Sequence, residues 1–205
     1  MISILFKALR KGYSYIGKIY YTPLAKIILF LNGAKFSTSL KVNGILKVHI
    51  TRKGKVNIGK NLNINSGKNH NIIGRQQKTI FWIDGELKIG NNTGMSSTAI
   101  ICRHKVSIGN NVTIGGNTVI YDTDFHSLNP LDRLIKTKDL KNTKNETVII
   151  EDNVFIGAHS TILKGVRISK NSIVGACSVV SKNIPPNEIW AGNPIKFLKK
   201  IDEVH

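Results

Sequence analysis

Apolar residues recur at every sixth position through the second half of the chain. The series runs through Ile150, Ile156, Ile162, Ile168, Val174 and Val180. Gly157 and Gly175 directly follow two of these residues, and turn-forming pairs such as Asp152-Asn153 fill the gaps. Neither the 3.6-residue helical period nor simple alternation sustains a period of six, whereas a hexapeptide solenoid does. The pattern therefore predicts one short strand and one tight turn per hexapeptide, three hexapeptides per triangular coil, and apolar side chains pointing inward.

The same period occurs earlier in the chain with interruptions. Shorter runs comprise Ile58 and Ile64, then Ile89, Met95 and Ile101, then Ile108, Ile114 and Ile120. The step of seven between Ile101 and Ile108 predicts a one-residue bulge near residues 103–105, and residues 66–80 also break the frame. The segment between Ile120 and Ile150 departs furthest from the period. We therefore predict an all-β solenoid over residues 36–184, with a loop of residues 122–147 protruding from one coil.

The two ends of the chain follow other patterns. Residues 1–35 form a basic, amphipathic segment with helical spacing, and Pro23 is expected to break the helix in two. The apolar face comprises Ile2, Leu5, Phe6, Leu9, Tyr13, Ile16 and Tyr20. This helix either lies on an anionic membrane surface or packs on the body or on a sister subunit. Residues 185–205 are expected to cap the other end, with a short basic helix at residues 195–201.

Charge is distributed unevenly along the chain. The formal net charge is +18, and 15 of the 30 Lys and Arg residues precede Asp84, which is the first acidic residue. Such a field attracts anionic partners. A nucleic-acid partner is not expected, because a binding groove for it needs aromatic side chains interleaved with the basic ones and only 7% of the residues are aromatic. A membrane-bound or anionic acceptor explains the charge better.

The N-terminus shows no signal peptide, because basic residues interrupt every apolar stretch before residue 27. We therefore expect a cytoplasmic protein, with peripheral contact at the inner membrane face if the first helix binds lipid. Cys102 and Cys177 are far apart and match no metal-binding spacing, which favours a reducing compartment and predicts no metal site. Cys177 lies inside a repeat and is expected to be a small buried hydrophobe.

Several motifs together resemble the hexapeptide-repeat acyltransferases, in particular the branch that acts in capsule, exopolysaccharide and O-antigen synthesis. They are the hexapeptide run, the segment Tyr121-Asp-Thr-Asp-Phe-His126-Ser, the stretch from Val154 to Gly165 and the tail Trp190-Ala-Gly-Asn-Pro194. The resemblance covers about residues 40–201. It implies a left-handed β-helix, a homotrimer, acetyl-coenzyme A bound between neighbouring solenoids, and one histidine that acts as the base. The implied acceptor is a sugar hydroxyl, free or lipid-linked, and an amine on a nucleotide-linked sugar is the alternative.

His126 is the predicted general base. Transfer from a thioester requires a group that takes the proton of the attacking hydroxyl, and imidazole titrates near neutrality. His126 lies at the root of the protruding loop, and the resemblance places the catalytic histidine there. A carboxylate on the second ring nitrogen would orient the ring. Asp122 and Asp124 are both in reach on an extended segment; we favour Asp124 as this partner and assign Asp122 to substrate binding.

Other site residues are suggested by position or by the resemblance. Asn117 and His159 are candidates for contact with the acceptor, and His159 also for contact with the donor. The resemblance implies donor binding by the following residues: Ala158, Ala176, Ser181, Lys182, Pro194 and Lys196. Small side chains at the two alanines would let the pantetheine arm lie against backbone amides, and Lys182 and Lys196 would meet the phosphates of coenzyme A.

Two other functions can be built on the same solenoid. A zinc hydratase would need three clustered histidines, whereas no two histidines of this chain fall within one repeat of each other. A purely structural solenoid would need neither the His126 loop nor the tail motif. Binding of acetyl-coenzyme A separates the enzyme from the structural protein.

Overall fold

The computed structural model describes residues 2–73 and 77–201, with side chains described for all of these except residues 10, 11 and 13–18. The predicted positions of Tyr13 and Ile16 on the apolar helix face, and residues 202–205 of the predicted cap, lie outside this description. The helices are α1 (Ile2–Leu31), α2 (Pro130–Arg133) and α3 (Lys136–Asn142). The strands are β1 (Lys35–Phe36), β2 (Lys41–Asn43), β3 (Lys47–Ile50), β4 (Lys55–Ile58), β5 (Asn63–Asn65), β6 (Ile80–Ile83), β7 (Glu86–Ile89), β8 (Gly94–Ser96), β9 (Ala99–Cys102), β10 (Lys105–Ile108), β11 (Thr113–Ile114), β12 (Val119–Tyr121), β13 (Val148–Ile150), β14 (Phe155–Ile156), β15 (Thr161–Ile162), β16 (Arg167–Ile168), β17 (Ile173–Val174), β18 (Val179–Val180), β19 (Glu188–Ala191) and β20 (Lys196–Lys200).

The strands form three sheets, parallel except for β20, that are the faces of a triangular prism. Sheet A has the order β1-β4-β7-β10-β13-β16, sheet B has β2-β5-β8-β11-β14-β17-β19-β20, and sheet C has β18-β15-β12-β9-β6-β3. Successive strands of the chain enter sheets A, B and C in turn, so each coil adds one strand to each face. The predicted left-handed parallel β-helix is confirmed.

The period of six corresponds to the inward-facing positions. The six residues from Ile150 to Val180 that define the period are at most 1% exposed. Val148, Val154 and Val166, which precede three of them by two positions, are at most 2% exposed. Each residue stacks on its counterpart one coil away, as in the register Ile108↔Ile150↔Ile168. The core is therefore a column of aliphatic side chains, which explains the low aromatic content.

The three edges of the prism are here called corner I (between sheets A and B), corner II (between sheets B and C) and corner III (between sheets C and A). At corner I six asparagines have φ angles of 55–63°: Asn61, Asn92, Asn111, Asn153, Asn171 and Asn187. Each carboxamide donates to the next at 2.7–3.2 Å, which forms a ladder along the edge. Asparagine is selected here because it tolerates the left-handed conformation and also bonds along the stack.

Corner II carries a second column of left-handed residues. Ser97, Asn117, His159 and Cys177 occupy equivalent positions in successive coils, with φ angles of 47–63°. The expectation that Cys177 is buried is wrong, because its side chain is exposed. The residue stands at the turn of its hexapeptide rather than at the inward-facing strand position.

Helix α1 closes the first end of the prism. Leu29 and Ala25 are buried against the first coil, and the Thr22 hydroxyl and the Val42 backbone exchange hydrogen bonds of 3.0–3.1 Å. The expected break at Pro23 is wrong, since α1 continues through it. Proline removes one helical hydrogen bond but has a φ that suits a helix, and the segment after it is held by the solenoid. The described side chains of α1 before Tyr21 are exposed, so this part of the helix projects from the solenoid.

The other end is closed by a hairpin. Strand β19 adds to sheet B, and β20 pairs with it antiparallel, with Ala191 opposite Lys196. The predicted short helix at residues 195–201 is wrong: the segment forms β20 instead. The free edge of β19 offers a full set of backbone hydrogen-bonding groups, and pairing with β20 covers this edge.

Two insertions leave the coils at different corners. The first insertion, described at residues 66–73 and 77–79, leaves corner II between β5 and β6. The second, residues 122–147, leaves corner III between β12 and β13 and contains α2 and α3. The seven-residue step near Arg103 is the tight turn at corner III between β9 and β10, one coil below the second insertion.

Candidate active site

His126 lies in the corner III insertion and is paired with Asp139 of α3. Its Nδ1 is 2.7 Å from Asp139 Oδ2. The other carboxylate oxygen of Asp139 accepts a 2.6 Å hydrogen bond from the backbone N–H of Ser127. Asp139 is only 8% exposed. The histidine is therefore held by a nearly buried carboxylate that is itself fixed by the segment that follows the histidine.

A second set of hydrogen bonds stabilises this part of the insertion. The Ser127 hydroxyl lies 2.9 Å from Asp132 Oδ2, which also accepts a 2.8 Å bond from Asn142 Nδ2. The Arg133 guanidinium donates to the Ser127 carbonyl at 2.8 Å. Asn129 caps the first turn of α2 by accepting from the Leu131 N–H. These bonds connect α2 and α3 to the His126 segment, so the insertion acts as a folded unit.

The environment of Asp139 favours its ionised form. The hydrogen bond from His126, followed by that from the Ser127 N–H, lowers the pKa of the Asp139 carboxyl below its ordinary value. An ionised Asp139 accepts a proton-bearing Nδ1, which leaves the lone pair of the neutral imidazole on Nε2. The His126 side chain is 69% exposed. The pair therefore has the arrangement of a general base with its orienting carboxylate.

The carboxylate that orients His126 is not one of the two predicted. Asp124 Oδ1 lies 3.5 Å from Lys164 Nζ. Asp122 is fully buried, and its two oxygens accept 2.7 Å hydrogen bonds from the backbone N–H groups of Arg103 and His104. Asp122 thus joins two coils at corner III. Its assignment to substrate binding is wrong, because the carboxylate is buried and both oxygens are bonded to the backbone. The expected pairing of Asp124 with His126 is wrong, because His126 Nδ1 contacts Asp139 and Asp124 faces Lys164.

Corner II brings together most of the other predicted site residues. Asn117, Ala158, His159 and Ala176 lie in three successive coils along this edge. Pro194, in the turn after β19, and Lys196 continue the same edge beyond Ala176. His159 is half-buried, and its Nδ1 is buried with no hydrogen-bond partner in the described part of the chain. These residues form a continuous row whose members are small, polar or basic.

The insertion at residues 66–79 covers the row at Asn117. The Asn117 side chain is 7% exposed, and its Oδ1 accepts a 2.8 Å hydrogen bond from Asn71 Nδ2. Ile73 lies against Gly116, where a side chain would collide with it. Asn117 therefore supports the insertion, and the insertion forms part of the wall beside His159.

Within one protomer, corner II and His126 lie on opposite edges of sheet C. Asn117 precedes β12 and Asp122 follows it, so the five steps between them correspond to about 16 Å at roughly 3.3 Å per residue. Ser181 and Lys182, which are also predicted to bind the donor, lie at corner III directly after β18, whereas Ala158 and Ala176 lie at corner II. The Lys182 ammonium lies 5.6 Å from the centre of the Trp190 ring.

Sheet C, which separates the two edges, has a largely apolar outer surface, except for Lys47 and His49 of β3 and Thr161 of β15. Its outward residues include Ile80, Trp82, Ile101, Val119, Tyr121 and Val179. The outward residues of sheet A are mostly polar or charged, among them Lys55, Asn57, Lys88, Ser107 and Arg167. Alternation within each strand already indicates which of these residues point outward. Only the pairing of the strands shows that they form one continuous apolar face.

Two contributors were missed by the sequence-based assignment. Asp139 lies 13 residues after His126, with no spacing that marks it. Asn71 lies 46 residues before its partner Asn117. For Asn71, the interruption of the hexapeptide period at residues 66–80 indicated an insertion but not what the insertion contacts. For Asp139 the sequence contained no comparable signal.

Among residues 2–73 and 77–201, no group of three or more His, Cys, Asp or Glu side chains is placed to hold a metal ion. In the same part of the chain, no helix is long and apolar enough to cross a membrane.

Comparison with known proteins gives matches to one kind of repeat. Residues 147–182 match the model for the bacterial transferase hexapeptide, six repeats. A galactoside O-acetyltransferase of Lactococcus lactis subsp. lactis (strain IL1403) is 40% identical over 101 residues, which are 48% of this chain and 44% of that protein. The chain thus covers less than half the length of this relative.

Solved structures show the same architecture. A hexapeptide-repeat containing acetyltransferase from Vibrio cholerae is 30% identical, with a TM-score of 0.51 over 57% of this chain and 64% of that one. An N-acyltransferase from Bacillus cereus, solved with dTDP and 3-hydroxybutyryl-CoA, has a TM-score of 0.66 over 89% of both chains at 21% identity. The second likeness concerns the fold alone.

Proposed function

We propose that this protein is an acetyltransferase that moves the acetyl group of acetyl-coenzyme A to a hydroxyl of a sugar, with His126 as the general base. The observation that carries the proposal is the His126–Asp139 pair, with Nδ1 bonded at 2.7 Å and the ring exposed at the edge of a hexapeptide solenoid. The O-acetyltransferase and acetyltransferase relatives described above support it. Surface polysaccharide synthesis is the process that we propose for it, on the motifs of the His126 segment and the tail.

The reaction that follows from this geometry needs one proton carrier. His126 Nε2 takes the proton of the acceptor hydroxyl while the hydroxyl oxygen attacks the thioester carbonyl carbon. The new C–O bond forms, the C–S bond breaks, and the imidazolium returns its proton to the departing thiolate of coenzyme A. Asp139 stabilises the imidazolium without becoming protonated itself.

The donor is proposed to lie along corner II. Ala158 and Ala176 leave the backbone of this edge accessible, and Lys196 supplies a positive charge beyond them. Corner III, where the insertion that carries His126 begins, lies about 16 Å away in the same protomer, across β12. A complete site therefore requires that corner II of one copy meets corner III of another. We propose a homotrimer in which the apolar outer face of sheet C packs about the threefold axis, because closed rings use such head-to-tail contacts.

Contact with an anionic membrane surface is proposed for the projecting part of α1. Ile2, Leu5, Phe6 and Leu9 are 62–84% exposed, and the chain has no acidic residue before Asp84. An apolar stripe on a helix with only basic charges suits the interface of anionic lipids. Such contact would bring a lipid-linked saccharide to the site.

Transfer to an amine on a nucleotide-linked sugar is the second candidate. Proton removal by His126 serves an amine as well as a hydroxyl. The Bacillus cereus N-acyltransferase shares the fold over most of the chain, which favours including this class of acceptor in the test.

The test is the release of coenzyme A thiol from acetyl-coenzyme A, with sugars, amino sugars linked to nucleotides and extracted glycolipid as acceptors. We expect transfer by the wild type and a loss of roughly 10²–10⁴-fold in His126→Ala, with donor binding retained. Equal rates for both proteins would place the base elsewhere, with His159 as the next candidate. If the wild-type protein does not bind acetyl-coenzyme A, the proposed enzyme is refuted, and a structural solenoid without catalytic activity is the remaining hypothesis.

A further inference from the structure

A small cavity lies at corner II where the insertion at residues 66–79 meets helix α1. Its volume is about 170 Å³. The lining includes Tyr21, Gly44, Ser66, Lys68, His70 and Lys78. The cavity belongs neither to the His126 insertion nor to the row from Ala158 to Lys196.

The cavity has defined walls. The Tyr21 and His70 rings meet edge to face, with their centres 5.2 Å apart. Gly44, with a φ of 93°, lets the insertion approach the first coil, because a Cβ there would lie 2.0 Å from the Ser66 carbonyl oxygen and 2.9 Å from His70 Cδ2. The Ser66 hydroxyl donates to the Ile45 carbonyl at 2.6 Å. The base of the insertion is therefore fixed to the solenoid.

The charge of the cavity is entirely positive. Lys68 and Lys78 are exposed and make no ion pair within the described residues, and no acidic residue lines the cavity. Burial lowers the pKa of His70, so its neutral ring adds an N–H donor rather than a third charge. Two ammonium groups with neutral donors in a concave site recognise phosphate oxygens.

The position of the cavity separates it from the proposed donor. It opens at the ends of β2 and β5, whereas Ala158 and Ala176 follow β14 and β17. In sheet B, β5 and β14 are three strand spacings apart, or about 14 Å at roughly 4.8 Å per strand. The donor row runs from Ala158 away from the cavity, and the two coils between them carry Ser97 and Asn117 at corner II.

We infer that the cavity lined by Tyr21 of α1, residues 66–70 and Lys78 binds the diphosphate of an acceptor in which the sugar is linked to a diphosphate. The assignment rests on the proposed acetyltransferase function and names the chemical class of its acceptor. A nucleotide-linked sugar and a sugar linked to a lipid diphosphate share this group. Tyr21 lines the cavity from the same helix that carries the exposed apolar stripe, so a lipid-linked acceptor would reach the cavity from the membrane surface.

The experiment is calorimetric titration of the full chain with inorganic diphosphate, with a nucleoside diphosphate and with a prenyl diphosphate in detergent. The double variant Lys68→Ala/Lys78→Ala removes both charges, and Lys41→Ala/Lys60→Ala, at exposed lysines away from the cavity, removes the same charge. We expect inorganic diphosphate to bind at least about tenfold more weakly to the first variant and within about twofold of wild type to the second. Tighter binding of the nucleoside or of the prenyl compound then identifies the source of the diphosphate.

Coenzyme A is titrated in parallel because it also contains a diphosphate. We expect its affinity to be the same in all three proteins and inorganic diphosphate to bind with coenzyme A present. Equal diphosphate affinity in the Lys68/Lys78 variant, or a loss of coenzyme A affinity in that variant, would overturn the assignment. A wild type that binds diphosphate but not coenzyme A would contradict the proposed enzyme and leave the anion site standing.

Discussion

The imidazole of His126 and the carboxylate of Asp139 are joined by a 2.7 Å contact between Nδ1 and Oδ2, although 13 positions separate them in the chain. The contact exists because α3 folds back over the segment after His126 and places Asp139 where it also accepts the Ser127 N–H. One carboxylate thereby fixes both the orientation of the base and the backbone beside it.

Replacing Asp139 by asparagine should reduce kcat/KM by roughly 10²–10⁴-fold, because the amide cannot stabilise the imidazolium and favours the wrong tautomer. Asp124→Asn is the matched control, since Asp124 lies closer in sequence but faces Lys164. Steady-state transfer assays check this, with circular dichroism to establish that both variants fold. A larger loss in Asp124→Asn than in Asp139→Asn would contradict the assigned pairing.

The lowered pKa of Asp139 predicts a specific acid sensitivity. Because the carboxyl is more acidic in the folded protein, its contribution to stability is complete above its unfolded pKa, near 3.8, and is lost as the pH falls through the lower folded value. The free energy of unfolding of wild type should therefore exceed that of Asp139→Asn most at neutral pH, and the difference should shrink below about pH 4. Urea denaturation from about pH 3 to pH 7 measures it. A difference that does not vary with pH would show that the ionised carboxylate makes no such contribution.

Sites built from two copies should be restored by mixing two inactive variants. His126→Ala removes the base at corner III, and Ala176→Trp fills the exposed donor edge at corner II. After unfolding and refolding together in equal amounts, about a quarter of the sites should combine an intact corner II with an intact corner III. Activity near that fraction of wild type supports the shared site, and no recovery would refute it.

The same interface can be tested by mass. Val119→Asp, on the outer face of sheet C, should shift the sedimenting species from trimer to monomer, since it places a charge in the proposed contact. Ile149→Asp is the control, because Ile149 is half-buried on the outer face of sheet A between Ser107 and Arg167. Dissociation by the control rather than by Val119→Asp would move the interface to sheet A.

Membrane contact through α1 predicts binding to anionic vesicles that depends on its apolar stripe. Leu5→Glu/Leu9→Glu should abolish co-sedimentation with phosphatidylglycerol vesicles, because it removes apolar area and adds negative charge. Leu128→Glu/Leu131→Glu makes the same change at two leucines that are 73% and 69% exposed in the other insertion, and should co-sediment like wild type. If the α1 variant loses its oligomeric mass and keeps vesicle binding, the helix packs on a sister subunit instead.

The features that could be predicted from the sequence are those that depend on local interactions. An inward residue at every sixth position is a property of each hexapeptide, so Ile150, Ile156 and Ile162 identified the solenoid without knowledge of what they contact. The ends were less well predicted. A basic, amphipathic sequence at residues 195–201 is compatible with a helix, but the unpaired edge of β19 lies beside it and makes a strand the better-bonded state.

The sequence by itself determined the coil period, the inward column and the position of both insertions, because each depends on neighbouring residues, and the resemblance to the hexapeptide-repeat acyltransferases pointed to His126 as the candidate base. Only the tertiary structure decided which carboxylate meets His126, that Asp122 is consumed by the backbone of Arg103 and His104, and that corner II lies across β12 from the base. These are contacts between segments separated by many residues. Their geometry depends on how the insertions fold onto the prism, which no local pattern encodes.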